Sequence, residues 1–326
     1  MHRLELLRAN IQSVYLGNQS AVEKLIVCLL ARGHVLIEDV PGVGKTVLAT
    51  SLARSLDCSM ARVQMTPDML PSDVLGVTVW DQLKSEFLFK PGPIFSNIML
   101  ADEINRTTPR TQSALLEAMN EGQVSIDGQT RKLIQPFIVI ATQNPFEFEG
   151  TYFPPESQLD RFLMRLHLGY PSPEDEARIL TLNPSQRALP EIKPVMTAAD
   201  LVELQRMVTE VKIDPSLVDY IIRIATATRV HEQLQIGVSP RGTLALTHLR
   251  AMASPMPVVL PVTMMHFLWS RMGGLSQMRL GVARRWKGKA GKLESRKAGK
   301  LEIKSGGFES CCRSFPDFQL SSFPAF

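Results

Sequence analysis

The feature that most constrains this chain is a glycine-rich loop between an apolar strand pattern and a helical pattern. The apolar run HVLIE (34–38) leads into EDVPGVGKT (38–46), and a helical pattern follows directly. Gly42 and Gly44 allow backbone N–H groups to turn toward a phosphate, and the helix N-terminus adds partial positive charge. The strand, loop and helix in this order predict a nucleotide-phosphate site on an α/β fold.

The residues of this loop have distinct expected roles. Lys45 would reach the outer phosphates, and Thr46 would ligate Mg²⁺. The predicted nucleotide-binding residues are Pro41, Gly42, Val43, Gly44, Lys45, Thr46 and Val47. Asp39 stands where the strict pattern GxxxxGK[ST] has its first glycine. The alternative, a glycine turn with an exposed lysine, is less favoured because the helix dipole would repel that cation.

A second motif supplies two carboxylates. The run IMLADE (98–103) is an apolar strand that ends in Asp102 and Glu103. Asp102 is placed to hold Mg²⁺, and Glu103 can orient and deprotonate a water for attack on the γ-phosphate. The alternative is an acidic strand end in solvent. The phosphate loop makes that alternative weaker, because such a loop needs a carboxylate of this kind.

A third strand pattern, FIVIATQNP (137–145), ends at Asn144. Ligands of open α/β sheets bind outside the carboxyl ends of the strands, where the phosphate loop and both carboxylates also fall. Asn144 could therefore orient the attacking water, and the alternative is an ordinary turn residue before Pro145.

Arg161, in the string QLDRF, precedes the last strand pattern. It could form a surface pair with Asp160, which would contribute little to stability. It could instead act as an arginine finger that completes a neighbouring subunit's site, an effect of about 10³ to 10⁵ in rate. Arg165, inside the strand itself, is the rival candidate.

Arg241 lies in the first turn of the helix that Ser239 and Pro240 open. A cation opposes the helix dipole there, and local rules broken without compensation mark functional positions. A bound phosphate would supply the compensation, and a surface pair with Glu232 is the alternative. His34 and His231 stand alone and are assigned no role.

The rest of the chain shows how these motifs are arranged. Five β-like runs alternate with helical patterns, which predicts a parallel sheet covered by helices; they span 34–38, 59–65, 94–101, 137–142 and 162–168. Two hairpins interrupt this order, GVTVW with EFLFK and QVSI with QTRKL, the second turning at Asp127 and Gly128. After Tyr170 only helical patterns occur, opened by the caps Ser172, Thr197, Asp214 and Ser239.

Composition limits the class of protein. The chain has 326 residues, of which 44% are hydrophobic, so it is long enough to form two domains. Its four cysteines lack metal-ligand spacing. A reducing cytoplasm fits best, and neither a membrane span nor secretion is indicated. We expect an α/β nucleotide-binding domain over 1–170, a helical domain over 171–250 and an atypical tail over 251–326.

Charge separates the tail from the body. Residues 1–248 carry 23 Lys and Arg against 28 Asp and Glu, a net charge of −5, whereas residues 249–326 carry 13 against 4, a net charge of +9. A nucleic-acid reading of the body therefore lacks the necessary positive surface. The tail is rich in Lys and Gly and repeats AGKLES as AGKLEI, which indicates a disordered or poorly packed segment.

With these motifs in order, residues 10 to about 247 resemble the MoxR family of AAA+ ATPases. The matching strings are VPGVGKT, IMLADEINR, DEINRTTPRTQSALLEAMNEGQVSIDG, ATQNP, QLDRF and GVSPRGTLAL. The resemblance implies a parallel-sheet P-loop NTPase core with β-hairpin insertions and a small all-α lid. In that family the first glycine of the loop is commonly absent, which accounts for Asp39.

The resemblance also implies function. It assigns Lys45, Thr46, Asp102 and Glu103 to ATP and Mg²⁺, Asn144 to sensor 1, Arg161 to a finger acting in trans and Arg241 to sensor 2. It further implies a ring, expected to be a hexamer, with the hairpins facing the pore or a partner. The work would be chaperone-like remodelling or activation of a client, including one with a von Willebrand A domain.

The tail departs from the family, so the lid looks truncated. We hypothesise a frameshift near codon 247, which would make residues 249–326 non-native. A damaged lid would favour a nucleotide-gated scaffold that binds ATP with little turnover. Glu103 and Arg161 favour hydrolysis instead. A DNA-acting relative is disfavoured by the acidic body, and GTP by the lack of an NKxD string.

Overall fold

The computed structural model describes residues 2–145, 151–183, 186–231, 234 and 236–248. The tail, the frameshift hypothesis and the truncation of the lid concern residues outside these ranges. The division into domains at residue 170 stays a prediction.

The strands are β1 Val35–Glu38, β2 Met60–Gln64, β3 Gly76–Asp81, β4 Glu86–Pro91, β5 Ile98–Asp102, β6 Gln123–Ile126, β7 Gln129–Lys132, β8 Ile138–Gln143 and β9 Met164–Leu166. The helices are α1 His2–Gln12, α2 Gln19–Leu30, α3 Lys45–Ser55, α4 Pro71–Leu75, α5 Pro109–Glu121, α6 Glu156–Leu159, α7 Pro173–Leu182, α8 Ala188–Glu191, α9 Ala198–Glu210, α10 Pro215–Val230 and α11 Pro240–His248.

Five strands form one parallel sheet in the order β2-β5-β8-β1-β9. Side chains alternate between its two faces, so Val35 and Ile37 of β1 pack in the same core as α1, α2 and α3. Leu36 points to the other face and shares a core with Leu115 and Leu116 of α5. Helices thus cover both faces, which confirms the predicted α/β fold with a parallel sheet.

Helix α5 has the ends that its sequence predicts. The side chain of Thr108 accepts a hydrogen bond from the Thr111 N–H at 3.4 Å, and Pro109 occupies the first helical position. Gly122 closes the helix in the left-handed conformation with φ of 63°. The buried face of α5 lies against the sheet, so this helix fixes the position of the segment that follows β5.

Both predicted hairpins are present as two-stranded sheets outside the main sheet. β3 pairs antiparallel with β4, and β6 pairs antiparallel with β7. At the second turn Asp127 and Gly128 have φ of 52° and 74°. Two successive positive φ values are those of a type I′ turn, the geometry that this dipeptide favours.

Two strand predictions were too long. Within 94–101, Pro93–Phe95 forms a 3₁₀ turn and only Ile98 onward is strand. The Ser96 hydroxyl donates to the Pro93 carbonyl at 2.8 Å, and this local bond holds the turn closed. The predicted strand over 162–168 shrinks to Met164–Leu166, because Phe162 N–H is bonded to the Leu159 carbonyl in the preceding turn.

Beyond residue 170 the described residues form helices and connecting loops, with no strand. Ser172, Thr197, Asp214 and Ser239 each accept a hydrogen bond from a backbone N–H near the start of the helix that follows. This helical part is bonded to the α/β part. The Gln205 amide donates to the Leu29 carbonyl at 2.7 Å, and Val195 N–H donates to the Ser55 carbonyl at 2.9 Å.

No helix among the described residues is long and apolar enough to cross a membrane. The two cysteines in this part of the chain, Cys28 and Cys58, are free thiols.

His34 is buried where β1, β8 and α5 meet. Its Nδ1 accepts from Val139 N–H at 3.0 Å, so Nε2 carries the proton and donates to the Met119 carbonyl at 3.0 Å. Burial lowers the pKa of His34 to about 4. The neutral ring therefore ties two strands and a helix together, and the sequence alone assigned it no such part.

This geometry predicts an acid-dependent loss of stability. Because the unfolded histidine titrates near 6.5 and the folded one near 4, the contribution of the neutral ring is complete above pH 6.5 and declines as the pH falls toward 4. Urea unfolding at pH 7.5 and 5.0 should show a decrease that is about 2 kcal/mol larger for the wild type than for His34→Gln. Equal decreases in the two proteins would contradict this assignment.

Candidate functional site

The phosphate loop, residues 38–46, joins β1 to α3. Gly42 and Gly44 have φ of 87° and 90°, a conformation that side chains with a Cβ rarely adopt. Gly44 is the N-cap of α3. It makes no side-chain cap, so no side chain at this position accepts a hydrogen bond from the first N–H groups of the helix. The space next to Gly42 is open, since a Cβ built there meets nothing within 4 Å. The loop can therefore bind an anion.

Lys45 begins α3 and lies half-buried. Its Nζ donates to the Asp39 carbonyl at 2.6 Å. Burial lowers the pKa of Lys45, and the carboxylates of Asp39, Asp102 and Glu103 act in the opposite direction. Asp102 and Glu103 follow β5 at the same edge of the parallel sheet at which β1 leads into the loop that carries Asp39 and Lys45. The structure thus brings the loop lysine and the two strand-end carboxylates together.

Asp102 ends β5 and is buried, with 7% of its surface exposed. Arg62 Nε donates to Oδ2 at 2.8 Å, and the Thr142 hydroxyl donates to Oδ1 at 3.1 Å. Both carboxylate oxygens therefore have a partner from a neighbouring strand. These two bonds fix the carboxylate at the carboxyl edge of the sheet.

Glu103 has an unusual backbone and a fixed side chain. Its φ is 58°, in the left-handed region, and its N–H donates to the Thr142 hydroxyl at 2.9 Å. Gln64 Nε2 donates to Oε2 at 2.6 Å, and Arg106 Nε lies 3.1 Å from the same oxygen. A non-glycine residue with this backbone is typical of functional sites, where surrounding contacts hold a costly conformation.

Four site residues were missed in the sequence: Arg62, Gln64, Arg106 and Thr142. A signal for two of them existed. Arg62 and Gln64 alternate along the edge strand β2 and so lie on the same face of it, next to β5. Both residues are exposed, and their side chains reach the carboxylates at the end of β5.

Asn144 is buried directly after β8, the strand between β5 and β1. Because these three strands are parallel, the topology brings Asn144 to the edge that carries Asp102 and the phosphate loop. Thr46 lies in the first turn of α3, beside Lys45.

Asp39, which stands where the strict pattern has a glycine, forms side-chain hydrogen bonds at this position. Its Oδ2 accepts hydrogen bonds from Leu168 N–H and from Gly169 N–H, the latter at 3.0 Å. The carboxylate thus bonds the phosphate loop to the segment where the chain leaves β9. A glycine at this position could not form these bonds.

The two arginines near β9 differ in their environment. Arg165 is 9% exposed at its side chain and lies 3.1 Å from Glu156 and 3.9 Å from Glu38. Arg161 Nε is buried without a hydrogen-bond partner. The described residues show no ion pair between Arg161 and Asp160; the Asp160 carboxylate accepts from Ser239 instead. Acids of its own chain therefore hold Arg165, and no described acid pairs with Arg161.

Arg241 is exposed in the first turn of α11. Through Ser239, the Asp160 carboxylate lies at the start of this helix and is an anion of the sign that the helix dipole favours there. Glu232, the alternative partner considered for Arg241, lies outside the described residues. The described chain contains no group of three or more His, Cys, Asp or Glu side chains that could by itself hold a metal ion.

Comparison with known proteins identifies the family. Residues 34–164 match the model of the ATPase family associated with various cellular activities (AAA). The chain is 51% identical over 237 residues to the uncharacterized protein YeaC of Bacillus subtilis, covering 73% of this chain and 74% of that protein. It is 41% identical over 258 residues to Chaperone MoxR1 of Mycobacterium tuberculosis, covering 76% and 67%.

The chain belongs to the MoxR family of AAA+ ATPases. A solved structure of a candidate ATPase from Cytophaga hutchinsonii agrees with this, at a TM-score of 0.72 and 36% identity, covering 78% of this chain and 79% of that one. The resemblance read from the sequence is therefore confirmed. The residues matched by the family model include the phosphate loop, the Asp102–Glu103 pair, both hairpins and Arg161.

The bonds of Asp39 lead to a stability prediction for this MoxR-family chain. Asp39→Ala removes both acceptor bonds and leaves two backbone N–H groups unpaired, so we expect a loss of about 2 kcal/mol in the free energy of unfolding. Asp39→Asn, which keeps an oxygen, should lose less. Asp219→Ala, at an exposed carboxylate of α10, is the matched control and should stay within about 0.5 kcal/mol of the wild type. Denaturant titrations measure both losses. If Asp39→Ala lost no more than this control, the stabilising role of the Asp39 hydrogen bonds would be contradicted.

Proposed function

We propose that the chain hydrolyses ATP with Mg²⁺ at sites shared between subunits of a ring and uses this reaction to remodel a partner protein. The observation that supports this most strongly is the carboxyl edge of the parallel sheet, where β1 leads into the glycine loop with Lys45 and β5 ends at Asp102 with Glu103 directly after it. Phosphate-loop ATPases require a loop lysine and strand-end carboxylates of this kind.

The residues present fit both ATP and Mg²⁺. Gly42 and Gly44 give a loop with positive φ at the start of a helix, which suits the phosphates. Thr46 and Asp102 offer the hard oxygen ligands that Mg²⁺ prefers. When bound, Mg²⁺ would neutralise charge that develops on the phosphate oxygens. Pro41, Val43 and Val47 complete the proposed nucleotide-binding loop.

Glu103 is the proposed general base. It would accept a proton from the water that attacks the γ-phosphate. As the new O–P bond forms, the bond from the γ-phosphorus to the β–γ bridging oxygen breaks and ADP leaves. Its bonds to Gln64 and Arg106 hold the carboxylate in place. Asn144, at the neighbouring strand end, would orient the same water.

Arg161 is the proposed finger, and it would act on the site of a neighbouring subunit. Its buried Nε has no hydrogen-bond partner among the described residues, whereas Arg165 forms ion pairs with Glu38 and Glu156. No described acid therefore competes for Arg161 with a phosphate from a neighbouring subunit. A head-to-tail ring, which we propose to be a hexamer, repeats this contact at every interface. Arg241 would contact the phosphates within its own subunit.

The β3–β4 hairpin is the proposed contact with the client. Trp80 and Phe87 stack edge to face at 5.0 Å between ring centroids, and they are 52% and 72% exposed, while Leu83 at the turn is 99% exposed. Exposed aromatic residues of this kind are typical of binding surfaces. We propose that the client is a cytoplasmic protein. Proteins with a von Willebrand A domain are among the proposed clients.

ATP turnover tests the proposed function. Glu103→Gln should lower kcat by about 10² or more while ATP binding persists, because only the proton acceptor is removed. Glu117→Gln, at an exposed glutamate of α5, should leave both unchanged. Phosphate release and calorimetric ATP binding measure the two quantities. ATP binding by the wild type without turnover would contradict hydrolysis and leave the nucleotide-gated scaffold.

The concentration dependence of turnover tests the shared site. Turnover per subunit should rise steeply with protein concentration as subunits assemble, and Arg161→Ala should lower it by about 10³ or more at every concentration. Arg110→Ala, at an exposed arginine of α5, is the matched control. A turnover per subunit that stays flat down to nanomolar protein would refute a finger in trans.

A further inference from the structure

The hydroxyl of Ser239 forms two kinds of bond at once. It accepts from Gly242 N–H at 2.9 Å and so caps α11, the helix that carries Arg241. It also donates to the Asp160 carboxylate, with Oδ2 at 2.9 Å and Oδ1 at 3.1 Å. Capping requires only the first of these bonds. The second bond connects the helical part of the chain to the residue directly before Arg161.

On the helical side, Ser239 is fixed to α10 as well as to α11. Arg229 Nε donates to the Val238 carbonyl at 2.9 Å, and Val238 N–H donates to the Thr228 hydroxyl at 3.0 Å. Val238 itself is buried, with 4% of its surface exposed. A displacement of α11 therefore carries Ser239 with it rather than being absorbed by the segment before the helix.

On the α/β side, Asp160 and Arg161 form one short, bonded turn after α6. Asp160 N–H donates to the Glu156 carbonyl at 2.9 Å, and Arg161 N–H donates to the Gln158 carbonyl at 3.1 Å. The next residue, Phe162, is 1% exposed and anchors the turn in the core. A pull on the Asp160 carboxylate therefore acts on the same turn that carries Arg161.

We propose that the Ser239–Asp160 hydrogen bond couples successive ATP sites in the ring. This rests on the proposed function, in which Arg241 contacts the nucleotide of its own subunit and Arg161 reaches that of the neighbour. Nucleotide contacts that shift α11 pull on Asp160 through Ser239 and thereby position Arg161 for the next site. Asp160 is in this account a positioning residue and touches no nucleotide.

A pair of variants at one position isolates the bond. Ser239→Gly removes the hydroxyl that donates to Asp160 but keeps a residue that caps helices with only a few tenths of a kcal/mol lost. Ser239→Thr keeps the hydroxyl and the cap. We expect Ser239→Gly to lose about tenfold in ATP turnover with ATP affinity unchanged, and Ser239→Thr to retain turnover.

Complementation between subunits separates coupling from a structural defect. Ser239→Gly subunits keep Glu103 but place Arg161 poorly for the neighbour, whereas Glu103→Gln subunits cannot hydrolyse ATP but keep a well-placed Arg161. Co-expressed with different tags and purified through both, they form mixed assemblies. The turnover of these assemblies should exceed the sum of the two separate variants by at least about fivefold. Adding Arg161→Ala to the Glu103→Gln subunit should abolish the gain.

The outcomes distinguish the inference from the proposed function. No gain in mixed assemblies, unchanged turnover in Ser239→Gly, loss of its ATP binding, or an equal loss in Ser239→Thr would each overturn the coupling while wild-type turnover leaves the proposed function intact. A wild type that binds no ATP or hydrolyses none would overturn the proposed function and the coupling with it.

Discussion

The parallel pairing of β5 with β2 and β8, and of β8 with β1, is the constraint on which the site depends. Because all these strands run in one direction, their carboxyl ends meet at one edge. Residues far apart in the chain then become neighbours, among them Lys45, Asp102 and Asn144. All five residues of β5 are buried, and its side chains alternate between the cores on the two faces of the sheet, which fixes this edge.

Electrostatic balance at this edge follows from the same pairing. The carboxylates of Asp39, Asp102 and Glu103 act on Lys45, and Arg62 and Arg106 form ion pairs with Asp102 and Glu103. Buried charges require partners of this kind, since an unpaired carboxylate would change its protonation state or destabilise the fold. The site is therefore an ordered set of opposite charges whose side chains are held by hydrogen bonds before any nucleotide arrives.

Local sequence signals predicted local structure well. The cap at Thr108, the stop at Gly122 and the turn at Asp127 depend on a few adjacent residues, and the structure has each of them. The fold class and the family were predicted for the same reason, since they rest on contiguous motifs. The roles of the site residues stay predictions.

Contacts across strands and between the α/β and helical parts could not be predicted in this way. The bonds Arg62–Asp102, Gln64–Glu103 and Ser239–Asp160 join residues 39 to 79 positions apart. Their partners depend on register and packing, which one sequence does not specify. The strand predicted over 94–101 was too long, because apolar content does not distinguish a 3₁₀ turn from a strand.

The carboxylate at position 39 has a mechanical consequence. Gly169, whose φ is 69°, lies three residues after the end of β9, where the chain turns toward the helical part, and its N–H donates to the Asp39 carboxylate of the phosphate loop. The segment that leads into the helices is therefore attached to the phosphate loop by hydrogen bonds as well as by the covalent chain through β9. A chain with glycine at position 39 would have the covalent connection alone.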